Sequence, residues 1–319
     1  MNSATSSAVA ARGASANVRG IGWMLVTGFF FVGVTGIVRH LGTDMPPVQA
    51  AFLRYVIGLA MISPLLFRAA RTPILSKRMG LHAVRGLVHG IGVMLWFYAM
   101  ARIPIAEVTA LGFTAPILTT VGAALFLGER LHIRRIGAVL VAFGGAMVIL
   151  RPGVEAIQIG ALAQLAAAPL FAASFLLAKK LTETESSASI VAYLSVFVTI
   201  ALLPGALMVW RTPTWEELGW LTVVAALATT GHYTLTLAFK ATEITVTQPF
   251  SFLQLIWATA LGFYAFGEQP DTWTMVGGAL IVGSATYIAH REVRRTGRAT
   301  PKAVQGLLDS ANGGPKPPG

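Results

Sequence analysis

Ala99–Ile149 reads AMARIPIAEVTALGFTAPILTTVGAALFLGERLHIRRIGAVLVAFGGAMVI, and Ala238–Ile288 reads AFKATEITVTQPFSFLQLIWATALGFYAFGEQPDTWTMVGGALIVGSATYI. Aligned at a constant offset of 139 residues without gaps, the two stretches share ten identities, among them Phe113/Phe252, Thr120/Thr259, Gly128/Gly267, Glu129/Glu268 and Gly144/Gly283. Both have the same plan: an apolar span, a Gly-Glu turn and a second apolar span. The turns differ in charge. Arg130, Arg134 and Arg135 follow Glu129, whereas Gln269, Pro270 and Asp271 follow Glu268. Basic loops stay on the cytoplasmic side of a membrane, so the same motif is expected on opposite sides. That pattern is an inverted repeat, a common architecture of secondary transporters.

Composition points the same way. Of 319 residues, 55% are hydrophobic and 12% charged, against about 25% charged in a soluble domain. The formal net charge of +11 is read as positive-inside loops, and no nucleic-acid partner is expected because no basic soluble face carries it. Cysteine is absent, which excludes disulfides and thiolate metal sites. No metal or cofactor is expected. The lipid bilayer itself is the solvent for most of the chain.

Ten apolar segments approach the ~20 residues that cross a bilayer as a helix: 20–38, 47–67, 84–101, 106–127, 136–150, 159–178, 190–210, 218–239, 246–266 and 274–289. The fold class read from them is all-α and polytopic, with ten transmembrane helices arranged as two inverted five-helix repeats. The repeats are expected at 20–151 and 159–290, flanked by disordered cytoplasmic tails at 1–19 and 291–319. With both termini inside, nineteen of the 24 Lys and Arg residues, Arg85 among them, fall on the cytoplasmic side and four outside. Arg54 is then the one base within a span.

Polar side chains inside a membrane usually face a cavity or a neighbouring helix. Positions seven apart share a helix face, which groups His89 with Trp96 and Glu107 with Thr114. Tyr233 falls on a face with Thr229 and Thr236, and Gln254 on a face with Ser251. With Phe113, Phe252 and Trp257 these suggest a chamber with aromatic walls and a few hydrogen-bonding groups. Interhelical hydrogen bonding is the alternative reading of each face. The substrate-binding candidates are His89, Trp96, Phe113, Thr114, Tyr233, Gln254 and Trp257. Arg54 and Glu107 are candidates for a coupling or structural charge, with Glu107 the nearest acid by depth. Arg54 is expected to snorkel or to cap a helix end; contact with an anionic substrate is the other reading. Pro116 and Pro169 within spans permit kinks. No pattern of an enzyme is present: no GxSxG, HExxH or Walker loop.

Several stretches carry a resemblance. Ala115–Leu131 (APILTTVGAALFLGERL), Gly137–Gly153 (GAVLVAFGGAMVILRPG) and Ala51–Gly58 (AFLRYVIG) resemble the EamA family of the drug/metabolite transporter superfamily, over about residues 20–290. The resemblance implies ten helices and cytoplasmic termini in the bacterial inner membrane. It also implies a central cavity lined by spans 1, 3, 4, 6, 8 and 9. Arg85–Phe113 is similar to a subgroup containing carriers for S-adenosylmethionine and riboflavin, which makes a small-molecule metabolite of that kind the expected partner. The second repeat departs from the pattern, with GEQP for GER and Leu255 in place of Pro116. The expected function is secondary transport of a small organic metabolite by alternating access, as a monomer or homodimer. The other function considered is a non-transporting receptor or intramembrane enzyme.

Overall fold

The computed structural model describes residues 2–69, 76–126, 133–151, 158–242, 244–251, 253–284 and 286–287. The described residues are built from helices. In chain order these are α1 (Asn2–Leu41), α2 (Pro47–Ala69), α3 (Met79–Met100), α4 (Ile105–Gly112), α5 (Thr114–Phe126), α6 (Ile133–Leu150), α7 (Ile159–Leu181), α8 (Ser187–Met208), α9 (Trp215–Ala241), α10 (Ile244–Ser251), α11 (Leu253–Phe266) and α12 (Thr272–Ser284). They make ten spans, with α4 and α5 two pieces of the fourth and α10 and α11 both within the ninth apolar segment. Five described helices are long and apolar enough to cross a membrane alone: α1 over Ala16–Leu41, and α3, α7, α8 and α9. The chain is a multi-pass membrane protein of two five-helix repeats.

α1 begins at Asn2, so helix runs back through the stretch expected to be a disordered tail. Alanine is the strongest helix former, and Ala8, Ala10, Ala11 and Ala14 supply it there. The tail expected at 291–319 and the first Gly-Glu turn lie outside the described residues.

The fourth span is broken: α4 ends at Gly112 and α5 starts at Thr114. The cause is Pro116. Its ring clashes with the carbonyl four residues back and it has no N–H to offer, which strands Gly112, the last residue of α4. Thr114 Oγ1 donates to Leu111 O at 2.7 Å, satisfying another carbonyl at the break. Pro169, by contrast, sits inside an α7 that continues through it.

Helices from opposite repeats interlock antiparallel. A Cβ on Gly20 would meet Thr242, and one on Gly33 would meet Leu227, so α1 runs against α9. Gly92 faces Leu170 and Gly160 faces Ile103, so α3 runs against α7 in the same sense. α6 and α12 cross where a Cβ on Gly145 would lie 2.7 Å from Gly277 O and one on Gly277 2.5 Å from Gly145 O. Such backbone contact is open only to glycine, and small residues are how membrane helices approach closely. Val34, Phe97, Leu111, Val198 and Val224, from both repeats, meet in one buried core.

Arg85 corrects the charge count. It lies within α3 and is 1% exposed, so it is not a loop residue. Nη1 donates to Ile190 O at 3.1 Å, while Nε is buried without a partner. Among the described residues, Arg54 and Arg85 are therefore both arginines buried between helices.

Candidate functional site

A cavity of ≈ 160 Å³ lies between the repeats. Its lining comes from α1, α3, α4, α5, α7, α9, α10 and α11, with Arg54 added from α2. In terms of spans these are 1, 3, 4, 6, 8 and 9, plus one residue of span 2. The helix break opens onto it: Gly112, Phe113, Ala115 and Pro116 line it on one side, and Ser251 and Gln254 line it on the other. A broken helix exposes backbone polar groups at membrane depth, which is tolerated where the backbone lines a cavity.

The walls are aromatic. Trp96 stands edge-on to Phe31 (centroids 6.3 Å, 84°) and to Phe171 (6.0 Å, 89°), and Phe171 stacks on Phe175 at 6.3 Å and 15°. These are the edge and offset arrangements favoured by aromatic quadrupoles. α1, α3 and α7 supply the rings, so the box straddles both repeats.

The polar groups cluster at one part of the wall. His89 and His232 meet edge-to-face at 4.9 Å and 73°. His89 Nδ1 lies 3.0 Å from Ser174 Oγ, and its ring also touches Phe171 at 5.2 Å and Tyr55 at 6.3 Å. The guanidinium of Arg54 lies 3.8 Å from the centroid of the Tyr55 ring. Among the described residues, four cavity-lining side chains hold buried atoms without a hydrogen-bond partner: Arg54 Nη1, His89 Nε2, His232 Nδ1 and Gln164 Oε1. A buried polar group without a partner costs ~1–3 kcal/mol, so such a set in one cavity is what a ligand-binding wall looks like.

Of the expected site residues, His89, Trp96, Phe113, Gln254 and Arg54 come together on the cavity. Arg54 does not snorkel: it is 3% exposed. Thr114 is buried but spends its hydroxyl on Leu111 O. Glu107 sits in the first turn of α4, half-buried, outside the lining. It is not the counterion of Arg54, which forms no ion pair among the described residues. Tyr233 and Trp257 are 38% and 59% exposed and point away from the cavity. One residue is 100° of helix, and Tyr233 is displaced from the inward position by its neighbour His232. Phe252 lies outside the described residues. The sequence reading missed His232, Gln164, Phe31 and Phe171. For the first two a signal existed: Gln164 is an isolated polar residue in an apolar span, and His232 is the one imidazole of its span.

Beyond one end of the cavity, about one helical turn past Thr35 and Thr109, lies the second Gly-Glu turn. Gly267 takes φ +65, and Glu268 N then donates back to Gly262 O at 3.0 Å. The hook brings the Glu268 carboxylate to the start of α4, where Oε2 accepts from Ile105 N at 2.8 Å. Oε1 forms an ion pair with Arg39 Nη2 at 2.9 Å. A carboxylate at a helix N-terminus is favoured by both the free N–H groups and the helix dipole. Gly262 leaves room for it, since a Cβ there would lie 2.9 Å from Oε2. The opposite end is held by Lys179, whose Nζ donates to Phe239 O (2.7 Å) and Thr242 O (3.0 Å).

The comparisons with known proteins decide the family. The EamA-like transporter family matches twice, at residues 18–151 and 158–289. The chain belongs to that family. EamA-like relatives span nearly its whole length. A riboflavin transporter of Rhizobium johnstonii is 31% identical over 280 residues, covering 86% of this chain and 91% of its own. An S-adenosylmethionine uptake transporter of Rickettsia felis is 28% identical over 279 residues, covering 88% and 95%. The pseudopaline exporter CntI of Pseudomonas aeruginosa is 26% identical over 263 residues, covering 81% and 91%. A crystal structure of another protein shares the fold, with a TM-score of 0.61 at 20% identity, over 89% of this chain and 99% of that one.

Proposed function

We propose that the protein is a secondary carrier that moves a small organic metabolite through the cavity between its repeats by alternating access. The observation that carries this reading is the wall itself: an aromatic box, contributed by both repeats, beside four buried polar atoms with no hydrogen-bond partner among the described residues. A flat conjugated ring can lie against the wall formed by Trp96, Phe31 and Phe171, and the unsatisfied atoms supply its hydrogen bonds. Relatives named for transport of riboflavin and of S-adenosylmethionine support a metabolite of that size. Alternating access needs a site reachable from either side with a barrier that can open. The Arg39–Glu268–Ile105 contact is such a barrier: a few polar bonds holding α1, α4 and the α11–α12 turn together. The bacterial inner membrane is the expected location.

The same reading fixes orientation, with both termini cytoplasmic and the Arg39 end outside. Because the chain has no cysteine, single-cysteine labelling tests it cleanly. Ser76→Cys and Asp271→Cys are expected to react with an impermeant thiol reagent from opposite sides; reaction of both from the same side would contradict the topology. The function itself is tested by comparing metabolites in cells lacking the protein, overproducing it, or overproducing the His89→Ala/Gln164→Ala variant. A small set of compounds should change with the wild type and not with the variant. An unchanged metabolite profile, or one the variant reproduces at equal protein level, would sink the carrier assignment.

A further inference from the structure

The charge on the cavity wall has no acidic counterpart among the described residues. Arg54 is 3% exposed and lines the cavity, its ring neighbour is Tyr55, and its Nη1 has no partner. The guanidinium is a planar cation with five N–H donors in a fixed fork and no acceptor. A second cation, Arg85, is buried nearby on α3 and is satisfied only in part, by a backbone carbonyl. Neither arginine forms an ion pair among the described residues, and no described residue of the lining is acidic. Inside a membrane protein an uncompensated charge is costly. The pairing that would offset it must come from what enters the cavity.

We propose that the cargo is a planar aromatic or heteroaromatic molecule carrying an oxyanion, with its ring in the Trp96–Phe31–Phe171 box and its carboxylate or phosphate on Arg54. A guanidinium fork matches both oxyanions in geometry and charge. The positive wall attracts an anion, leaves a neutral ring with one bond fewer, and repels a cation. Net-cationic molecules are therefore selected against, although their rings would fit. The histidine pair borders this same charge through Tyr55, which touches His89, so ring and anion bind in adjoining parts of one chamber.

This inference rests on the cavity being the cargo site, and the test separates the two. The full-length purified protein is titrated with three probes of one ring system: 2-naphthoate, 2-naphthamide and 2-naphthylmethylammonium. The naphthoate is expected to bind ~10–100-fold tighter than the amide, the worth of one charge-assisted hydrogen bond, and the ammonium weakest. In Arg54→Gln the naphthoate should fall to within about threefold of the amide, and Arg54→Lys should keep part of the preference. Thermal unfolding of each variant checks that it is folded; if Arg54→Gln is not, the wild-type order and Arg54→Lys still decide. Equal binding of the three probes, absence of naphthoate binding, or a preference that persists in folded Arg54→Gln would overturn the anion assignment. Probe binding that Trp96→Ala leaves unchanged would overturn the cavity reading instead.

Discussion

Trp96→Ala is expected to raise the apparent KM for the transported metabolite ~30–100-fold, the equivalent of about 2–3 kcal/mol. Two terms add up to that size. Burying most of a tryptophan face against a flat ligand removes about 100 Å² of apolar surface from water, worth ~2.5 kcal/mol. Ring–ring geometry contributes a further ~0.5–1.5 kcal/mol, part of which is offset by the cost of ordering the ligand. The ring is fixed in advance by edge contacts to Phe31, Phe97 and Phe171, so little further entropy is lost on binding. Trp96→Phe should retain most of the affinity. Trp257→Ala provides the contrast: the residue is 59% exposed on the outside of the bundle, and its loss should leave KM within about twofold of wild type. Initial-rate transport at matched protein level measures both. Equal defects in Trp96→Ala and Trp257→Ala would mean that the box is packing and not a binding wall.

Removing the Glu268 carboxylate is expected to unlatch one end of the cavity. Its two contacts tie together three separated parts of the chain: the end of α1, the start of α4 and the turn after α11. The carboxylate is 13% exposed and Arg39 24%, so the pair is shielded enough to count, unlike a surface ion pair. Hydrogen bonds to charged groups are worth ~1.5–3 kcal/mol, and losing that from one state moves a two-state equilibrium ~10–100-fold. Glu268→Ala should lose both contacts. Glu268→Gln should keep an acceptor for Ile105 N and lose the ion pair, giving a smaller shift. Thr35, which lines the cavity on α1 toward this end, reports the change: thiol labelling of Thr35→Cys should rise in the Glu268→Ala background. Unchanged labelling and transport would show that the contact only caps α4.

How much of this was legible in the sequence follows from what each signal measures. Hydropathy reports apolar length, and the spans were placed within a few residues because a bilayer demands that length, except that α1 runs back to Asn2. The break at Gly112/Thr114 was not foreseen as a break, although Pro116 suggested a kink. The direction of side chains was less readable. A soluble helix separates a polar face from an apolar one, but lipid and core are equally apolar, so nothing distinguishes outside from inside. His89 and Gln254 were found because polar groups avoid lipid. Tyr233 was chosen over His232, one residue away, because an amphipathic ring is equally at home on the lipid side. Phe31 and Phe171 carry no polar mark and could not be told from packing residues. Arg85 was assigned to a loop by the charge count, which has no means of recognising a base buried between α3 and α8.

The central claim is that one cavity between the repeats is reached from each side in turn. Ala115 lines that cavity beside the break in the fourth span and is 4% exposed. In this cysteine-free chain, Ala115→Cys can be challenged with an impermeant thiol reagent in right-side-out and in inside-out vesicles. Modification from both sides is expected, with Glu268→Ala shifting the ratio of the two rates and transported metabolite slowing both. Modification from one side alone, unaffected by Glu268→Ala or by metabolite, would contradict alternating access through this cavity.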